Sequence, residues 1–379
     1  MLRRRLLELT AAAAAGAAQK RDQPAGNDTA VAGATPDTTP RVGIVLSSFK
    51  GSEDHDGTKL KGLRSPAPPD GPLSAAQLDE MVRKAIELGN TRRGGLPTIV
   101  EVGDWVVVKP RIAVHRSAGG RAVAGSVADP RVVRTLIAWL AEHRLGKRIT
   151  VAEGPSWSAE QPFDAWNSDW DGAFGKISYR AMVDEFARKH PAVRFDIVDL
   201  NGDETMEMRA PGRDTGGAYQ VPNTLMQCDK LITVAPLATS AQTGVSLTLG
   251  SYLGALPGSI YGRLKERASS LAQPHQLLAD LFSFHPADYA ILGGEWGIEG
   301  DAPFGPRAAA IRHNLVLAGA NAVAVDAVGV SVMGFVPSRI RHLELAAKRG
   351  LGTIETDSIW TRGNAIDEAK RPFRPAASG

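Results

Sequence analysis

The 379-residue chain is 43% hydrophobic and nearly charge-balanced, with 44 basic against 41 acidic residues and a formal net charge of +3. That is enough apolar material for one large domain or two small ones, and the lack of a basic run interleaved with aromatics argues against a nucleic-acid partner. Cys228 is the one cysteine, which excludes an intrachain disulfide and any cysteine-ligated zinc site or iron–sulfur cluster held by this chain alone.

The chain opens on a targeting pattern. Arg3, Arg4 and Arg5 precede Leu6 and Leu7, a Leu/Ala-rich run follows, and Ala15-Gly16-Ala17 offers a small-residue cleavage site, although Glu8 interrupts the apolar run. This predicts a twin-arginine-type signal over residues 1–18 and export of the folded chain to the periplasm or another extracytoplasmic space. The run is too short for a stable membrane span, so none is expected after processing. Residues 19–40, rich in Ala, Thr, Asp, Gly and Pro, read as a disordered linker.

From residue 41 short apolar runs alternate with amphipathic stretches. A strand is predicted at 41–47, then a polar loop over 49–72 and a helix over 74–88, where Leu78, Met81, Val82, Ala85 and Leu88 form one stripe and Ser74 is a cap. A strand at 104–108 ends at Lys109-Pro110. Asp129 caps a helix that starts at Pro130 and runs through Val133, Leu136, Ile137 and Leu140. A strand at 148–152 ends at Glu153-Gly154-Pro155, a helix covers 177–190, and a strand at 193–198 ends at Asp199. A strand at 230–234 ends at Ala235-Pro236, a helix spans 274–284, and an apolar run at 288–292 leads into the Gly-rich loop 293–301. A strand at 314–318, a helix capped by Asn321 and a late helix at 339–349 complete the order. The pattern predicts an α/β fold: a mainly parallel, Rossmann-like sheet covered by helices on both faces. It places one domain over 41–362, with a Trp-rich insertion at 155–176 and a C-terminal tail at 363–379.

Parallel strands present their C-terminal ends on one rim, where open α/β folds bind ligands. Lys109, Glu153, Asp199 and Pro236 fall at such ends, each of which could also be a solvated loop position. No G-x-G-x-x-G follows the first strand and no G-x-S-x-G elbow occurs, so neither a standard dinucleotide site nor a serine hydrolase is indicated.

The motifs Val106-Val107-Val108-Lys109-Pro110, Ala128-Asp129-Pro130, Ile149-Thr150-Val151-Ala152-Glu153-Gly154, Glu299-Gly300-Asp301-Ala302-Pro303 and Leu317-Ala318-Gly319, followed by Ala322-Val323-Ala324-Val325-Asp326, occur in an order that resembles family 362 of the domains of unknown function. The resemblance spans roughly residues 41–352. It implies redox-linked metabolism, with a partner protein supplying the redox centre, but no established reaction. The chain departs from the family pattern at Arg111, at Ala238 and Ser240 in place of a Lys-x-His element, at Gly250-Ser251 in place of Lys-Asn, at Gly293 and at Ala302. Those departures leave room for a changed substrate or for a binding protein that has lost family residues.

The residues then take candidate roles. Lys109 is to hold an anion, and Glu153 and Asp326 are to act in proton transfer or as ligands to a divalent cation. Asp326 is expected to be buried, because its helical neighbours Ala322, Val323, Gly329 and Val330 are small or apolar. Glu299 and Asp301 are the metal candidates, since loop carboxylates suit magnesium or calcium; the backbone amides of the same turn suit phosphate instead, and a tight turn whose acids cap nearby amides is the plainer alternative. Arg111, His115, Trp157 and Ser240 are candidate substrate contacts; Trp157, Trp166 and Trp170 could stack on a ring-bearing ligand or simply pack over the sheet. The leading expectation is an extracytoplasmic enzyme acting on a small polar or anionic molecule, and the rival is a small-molecule or partner-binding protein without catalysis. Cys228 is expected to be a structural thiol.

Overall fold

The structure, a computed structural model, describes residues 39–90, 95–114, 123–157, 164–168, 170, 174–210 and 218–377. The expected signal segment, nearly all of the expected linker, His115 and parts of the Trp-rich insertion lie outside the described residues.

An eight-stranded sheet is formed by β1 (Arg41–Leu46), β2 (Trp105–Pro110), β3 (Arg148–Glu153), β4 (Arg194–Asp199), β5 (Lys230–Ala235), β6 (Tyr289–Glu299), β7 (Ala309–Gly319) and β8 (Trp360–Gly363). Its order is β8-β1-β7-β6-β5-β2-β3-β4. Every neighbouring pair is parallel except those made by β7, which runs antiparallel to both β1 and β6. The main helices are α1 (Ala75–Gly89), α2 (Pro130–Glu142), α3 (Tyr179–Lys189), α4 (Pro274–Phe284), α5 (Ala322–Val332) and α6 (Arg341–Lys348).

The inner strands are largely apolar because both faces are covered, whereas the edge strands β4 and β8 are half-exposed. On β5, Leu231 and Ala235 join one buried cluster, while Ile232 and Val234 join the other. Successive side chains of a strand point to opposite faces, so the alternation separates two cores. Leu281 of α4 and Val328 of α5 lie in the first; Leu78 of α1, Leu136 of α2 and Met182 of α3 lie in the second.

Helix starts follow the sequence signals. Ser74 and Gln77 form a reciprocal capping box, Asp129 accepts from the Arg131 amide with Pro130 in the first turn, and Asn321 accepts from the Ala324 amide. Each cap satisfies an amide that has no partner inside its helix, typically worth about 1 kcal/mol.

The Gly-rich stretch departs from expectation. Residues 293–299 continue β6 as a strand, hydrogen-bonded antiparallel to β7 out to the Glu299–Ala309 pair, with a bulge between Gly294 and Trp296. The reason is backbone geometry. Gly293 has φ 109°, and a Cβ there would lie 2.1 Å from the Leu315 carbonyl oxygen. Glycine lets the two backbones approach at the bulge; without a packing side chain it gives no strand signal in sequence. The 49–72 region likewise contains a short hairpin, Gly51–Glu53 with Lys59–Lys61.

The order of the strands reverses at β2. From β2 the chain adds β3 and then β4 on one side; β5 and β6 follow on the other. Open α/β sheets bind ligands outside the C-terminal ends of the strands that flank such a reversal, here β2 and β5.

Candidate functional site

Lys109 sits at the end of β2, opposite Thr233 of β5. Glu153 ends β3. Their side chains meet as a buried ion pair, Lys109 Nζ donating to Glu153 Oε2 and also to the Ser251 carbonyl at 2.7 Å. Burial pushes the Lys109 ammonium down and the Glu153 carboxyl up, while each opposes the other's shift through its own charge. Both displacements favour sharing the proton over separated charges.

Backbone makes the other wall of this pair. The turn Gly250–Ala255 lies so close that a Cβ on Gly254 would be 1.9 Å from Glu153 Oε1. That turn is held from beneath by Asp326 of α5. Its Oδ1 accepts from the Thr248 amide at 2.9 Å and the Thr248 hydroxyl at 2.5 Å, and its Oδ2 accepts from the Leu249 amide at 2.9 Å. Burial pushes the Asp326 carboxyl up to about 7, against the pull of these hydrogen bonds. Asp326 therefore anchors the turn that carries Ser251. Among the described residues it bonds neither the 297–301 segment nor Glu153, and it reaches the site through Thr248 and Leu249.

Arg111 follows β2. Its amide donates to Val234 of β5 at 2.8 Å, and its carbonyl accepts from Ala128 at 2.8 Å, which fixes it at the ends of β2 and β5. Its guanidinium is buried, yet among the described residues it makes one hydrogen bond, Nη1 to the Ser126 carbonyl at 3.2 Å. A guanidinium carries five N–H donors. Desolvation pulls it down to about 10, against the attraction of Glu153.

Lys265 is the member that sequence reasoning missed. It lies between the short helix Gly258–Tyr261 and the 3-10 turn Glu266–Ser270, in left-handed backbone with φ 59°, and its local sequence has no periodicity to announce burial. Asn201, just beyond β4, holds it: Oδ1 accepts from Lys265 Nζ and from the Gly258 amide at 2.8 Å, while Nδ2 donates to the Pro155 carbonyl at 3.0 Å. Burial brings the Lys265 ammonium down to about 8; Glu153 and Asp199 oppose that shift and Lys109 adds to it. Relative exposures are 0% for Lys109, 2% for Glu153, 5% for Arg111 and 4% for Lys265. A buried cluster with this excess of cations, at a strand-order reversal, has the electrostatics of a site for an anion.

The remaining candidates lie elsewhere or are otherwise engaged. Asp301 is held by Arg307 through two bonds of 2.8 Å and accepts from the Ala377 amide at 2.7 Å. The Arg307 bonds keep its carboxyl well below the usual range. Glu299 accepts from the Arg374 amide at 2.9 Å. These two acids meet arginines and backbone, and among the described residues no group of three or more His, Cys, Asp or Glu is placed to hold a metal ion. The Ser240 hydroxyl accepts from the Thr243 amide and hydroxyl at 3.2 and 2.9 Å within its own turn. Trp157 pairs with Val114 in a two-residue strand and is half-buried. Trp166 and Trp170 pack edge-on against Tyr179 at 6.0 and 5.8 Å, over the sheet. Cys228 is buried, which pushes its thiol far up.

A second charged network joins α2 to the β6–β7 hairpin. Arg131 donates to Asp129 Oδ2 and Glu295 Oε2, both at 2.7 Å, and Arg312 lies 3.0 Å from Glu295 Oε1 and over the Trp296 ring. Arginine and carboxylate balance there.

Comparison with known proteins adds a family and little else. The family described as Domain of unknown function (DUF362) matches residues 106–331. No curated protein matches. Among solved structures, the lactate racemase apoprotein from Thermoanaerobacterium thermosaccharolyticum is similar at 13% identity and a TM-score of 0.33, over 64% of this chain and 55% of that one. The chain thus spans about half the length of that protein, and a likeness of this size has no bearing on the reaction.

Proposed function

Because the chain belongs to the DUF362 family of domains of unknown function, whose name fixes no reaction, we propose a function from the rim itself: an enzyme that performs acid–base chemistry on a small anionic substrate. The observation that carries this reading is the Arg111 guanidinium, buried beside a closed Lys109–Glu153 pair with one hydrogen bond among the described residues. Arg111 would orient the substrate through a charge-assisted, bidentate contact. Lys265, brought down by burial to about 8, and Glu153, pushed up by burial, would exchange protons with it. The Lys109 ammonium and the Asp326-anchored turn would keep the Glu153 carboxyl in place. A Rossmann-like reading of the sheet rests on the reversal at β2, which would set a ligand at the same strand ends.

The test is solvent-deuterium incorporation into small carboxylic acids that carry an acidic C–H bond, followed by proton NMR. Exchange by the wild type and its loss in Lys265→Gln would support an enzyme. Binding of such acids without exchange or turnover would leave the second reading, a small-molecule-binding protein, which the departures from the family pattern at Ala238 and Ser240 favour. Export rests on the Arg3-Arg4-Arg5 pattern, the Leu/Ala-rich run after it and the Ala15-Gly16-Ala17 cleavage site. Replacing Arg3 and Arg4 by Lys should hold the precursor in the cytoplasm, and unchanged secretion would refute it. A redox partner and a divalent cation rest on the family resemblance and on Glu299 and Asp301, and the rim chemistry needs neither.

A further inference from the structure

The charge balance of the rim cluster goes further than the presence of an anion. Lys109 and Glu153 together carry no net charge wherever their shared proton sits. Two cations then remain, Arg111 and Lys265, both buried. The acids near Lys265 do little to offset them. Asp199 is exposed and spends Oδ1 on the Asn201 amide at 2.9 Å and Oδ2 on Trp166 Nε1 at 3.4 Å. Glu266 is exposed as well, and Asn201 is neutral. Solvent screens such exposed charges, whereas a charge deep in the fold needs a counter-charge at close range.

We infer that the site takes a small dianion, Arg111 holding one negative group and the protonated Lys265 amine the other. This rests on the anion reading of Arg111 and adds the charge of the ligand and the residue that sets it. Two consequences follow from this count of buried charges. A monoanion would leave one buried cation without a partner, so it should bind less well. A dianion supplies the counter-charge that burial denies Lys265, so binding should raise the proton affinity of that amine and take up a proton whenever the free amine is neutral. The free amine loses its proton at about 8. Affinity for a dianion should therefore hold steady below that pH and fall above it.

The experiment is titration calorimetry of the full chain with malonate as the dianion and acetate as the monoanion, from pH 7 to 9.5. Malonate should bind about tenfold or more tightly than acetate at pH 7, a difference of about 1.4 kcal/mol. Its affinity should drop about tenfold by pH 9.5, with proton uptake visible as a dependence of the heat on the buffer. Lys265→Met should keep acetate binding while losing both the malonate preference and the pH dependence; Lys265→Gln serves if the first variant melts early. Arg111→Met should lose both ligands. Equal affinities for malonate and acetate, or a malonate affinity flat across this range, would overturn the dianion inference and leave the anion site standing. No binding of either anion, or binding untouched by Arg111→Met, would overturn both.

Discussion

The rim cluster and the β6–β7 hairpin network use the same side-chain types and come to opposite balances. At the hairpin, Arg131 and Arg312 close on Glu295 and Asp129, and Arg307 closes on Asp301. At the rim, three cations share one carboxylate, and the Arg111 guanidinium has one bond among the described residues. In sequence the hairpin looked richer, because Glu295, Glu299 and Asp301 fall close together. The difference teaches that charge density does not mark a site. What marks it is charge that the chain leaves without counter-charge after folding.

The sharpest way to break the contrast is to unbalance the rim further. Glu153→Gln leaves Lys109 buried without its acid, and removing one member of a buried pair typically costs about 3–5 kcal/mol. Urea unfolding should show a loss of that order. Adding Lys109→Met in the same chain should restore most of it, since the stranded charge is then gone. An unchanged midpoint in the single variant would mean the pair is solvated rather than buried.

Asp326→Asn should come next, at about 1–3 kcal/mol, because an amide can satisfy one of the Thr248 and Leu249 N–H groups and turns its own donors toward the other. The sign with pH is fixed by the raised carboxyl. It is protonated in the fold before it is in the unfolded chain, so its contribution is greatest below the ordinary value near 3.8 and declines as pH rises to about 7. The gap between wild type and Asp326→Asn should narrow over that window and stay level above it. A gap that widens with pH would show the anion itself to be the stabilising form.

Lys265 sharpens the comparison in the other direction. Its amine is brought down from 10.5 to about 8, so the unfolded chain holds the proton more tightly than the fold does. Keeping the charge costs stability below pH 8, and that cost is relieved as pH rises from about 8 to 10.5. Lys265→Met should therefore melt higher than wild type at pH 7, with the advantage gone by pH 10.5. A lower melting point at pH 7 would make Lys265 a structural cation.

The smallest effect belongs to the hairpin. Asp301→Asn removes one partner of a solvent-screened pair, and such pairs contribute little. Its melting point and its malonate affinity should match those of wild type within scatter. A loss of malonate affinity would return Asp301 to the candidate site.

Much of the fold was legible because burial and period speak locally. The strands β2, β3 and β5 are apolar runs that end in Pro or charge or just before Pro, and Ser74, Asp129 and Asn321 are caps of the expected kind. Lys109, Glu153 and Arg111 could be placed on one rim because parallel strands bring their ends together. Lys265 could not, since its burial depends on Asn201 and on turns with no periodic pattern. The role of Asp326 was half legible: its apolar neighbours announced burial, but its partners, Thr248 and Leu249, lie 78 and 77 residues away. The hairpin was misread because glycine in a bulge and glycine in a loop look alike until the opposing backbone is known.

The same Asp326 anchor bears on the order in which the molecule comes into being. On the ribosome, the segment carrying Ser251 emerges well before its carboxylate support, which is 78 residues behind Thr248. The first strand waits longer still, for its sheet partners are β7 and β8, the last strands of the chain. A nascent chain arrested before residue 326 would hold Lys109, Glu153, Arg111 and Lys265 with no fixed floor beneath them. The assembled site is thus a property of the finished polypeptide, and a fragment ending before α5 should bind no anion even though it contains every side chain of the rim.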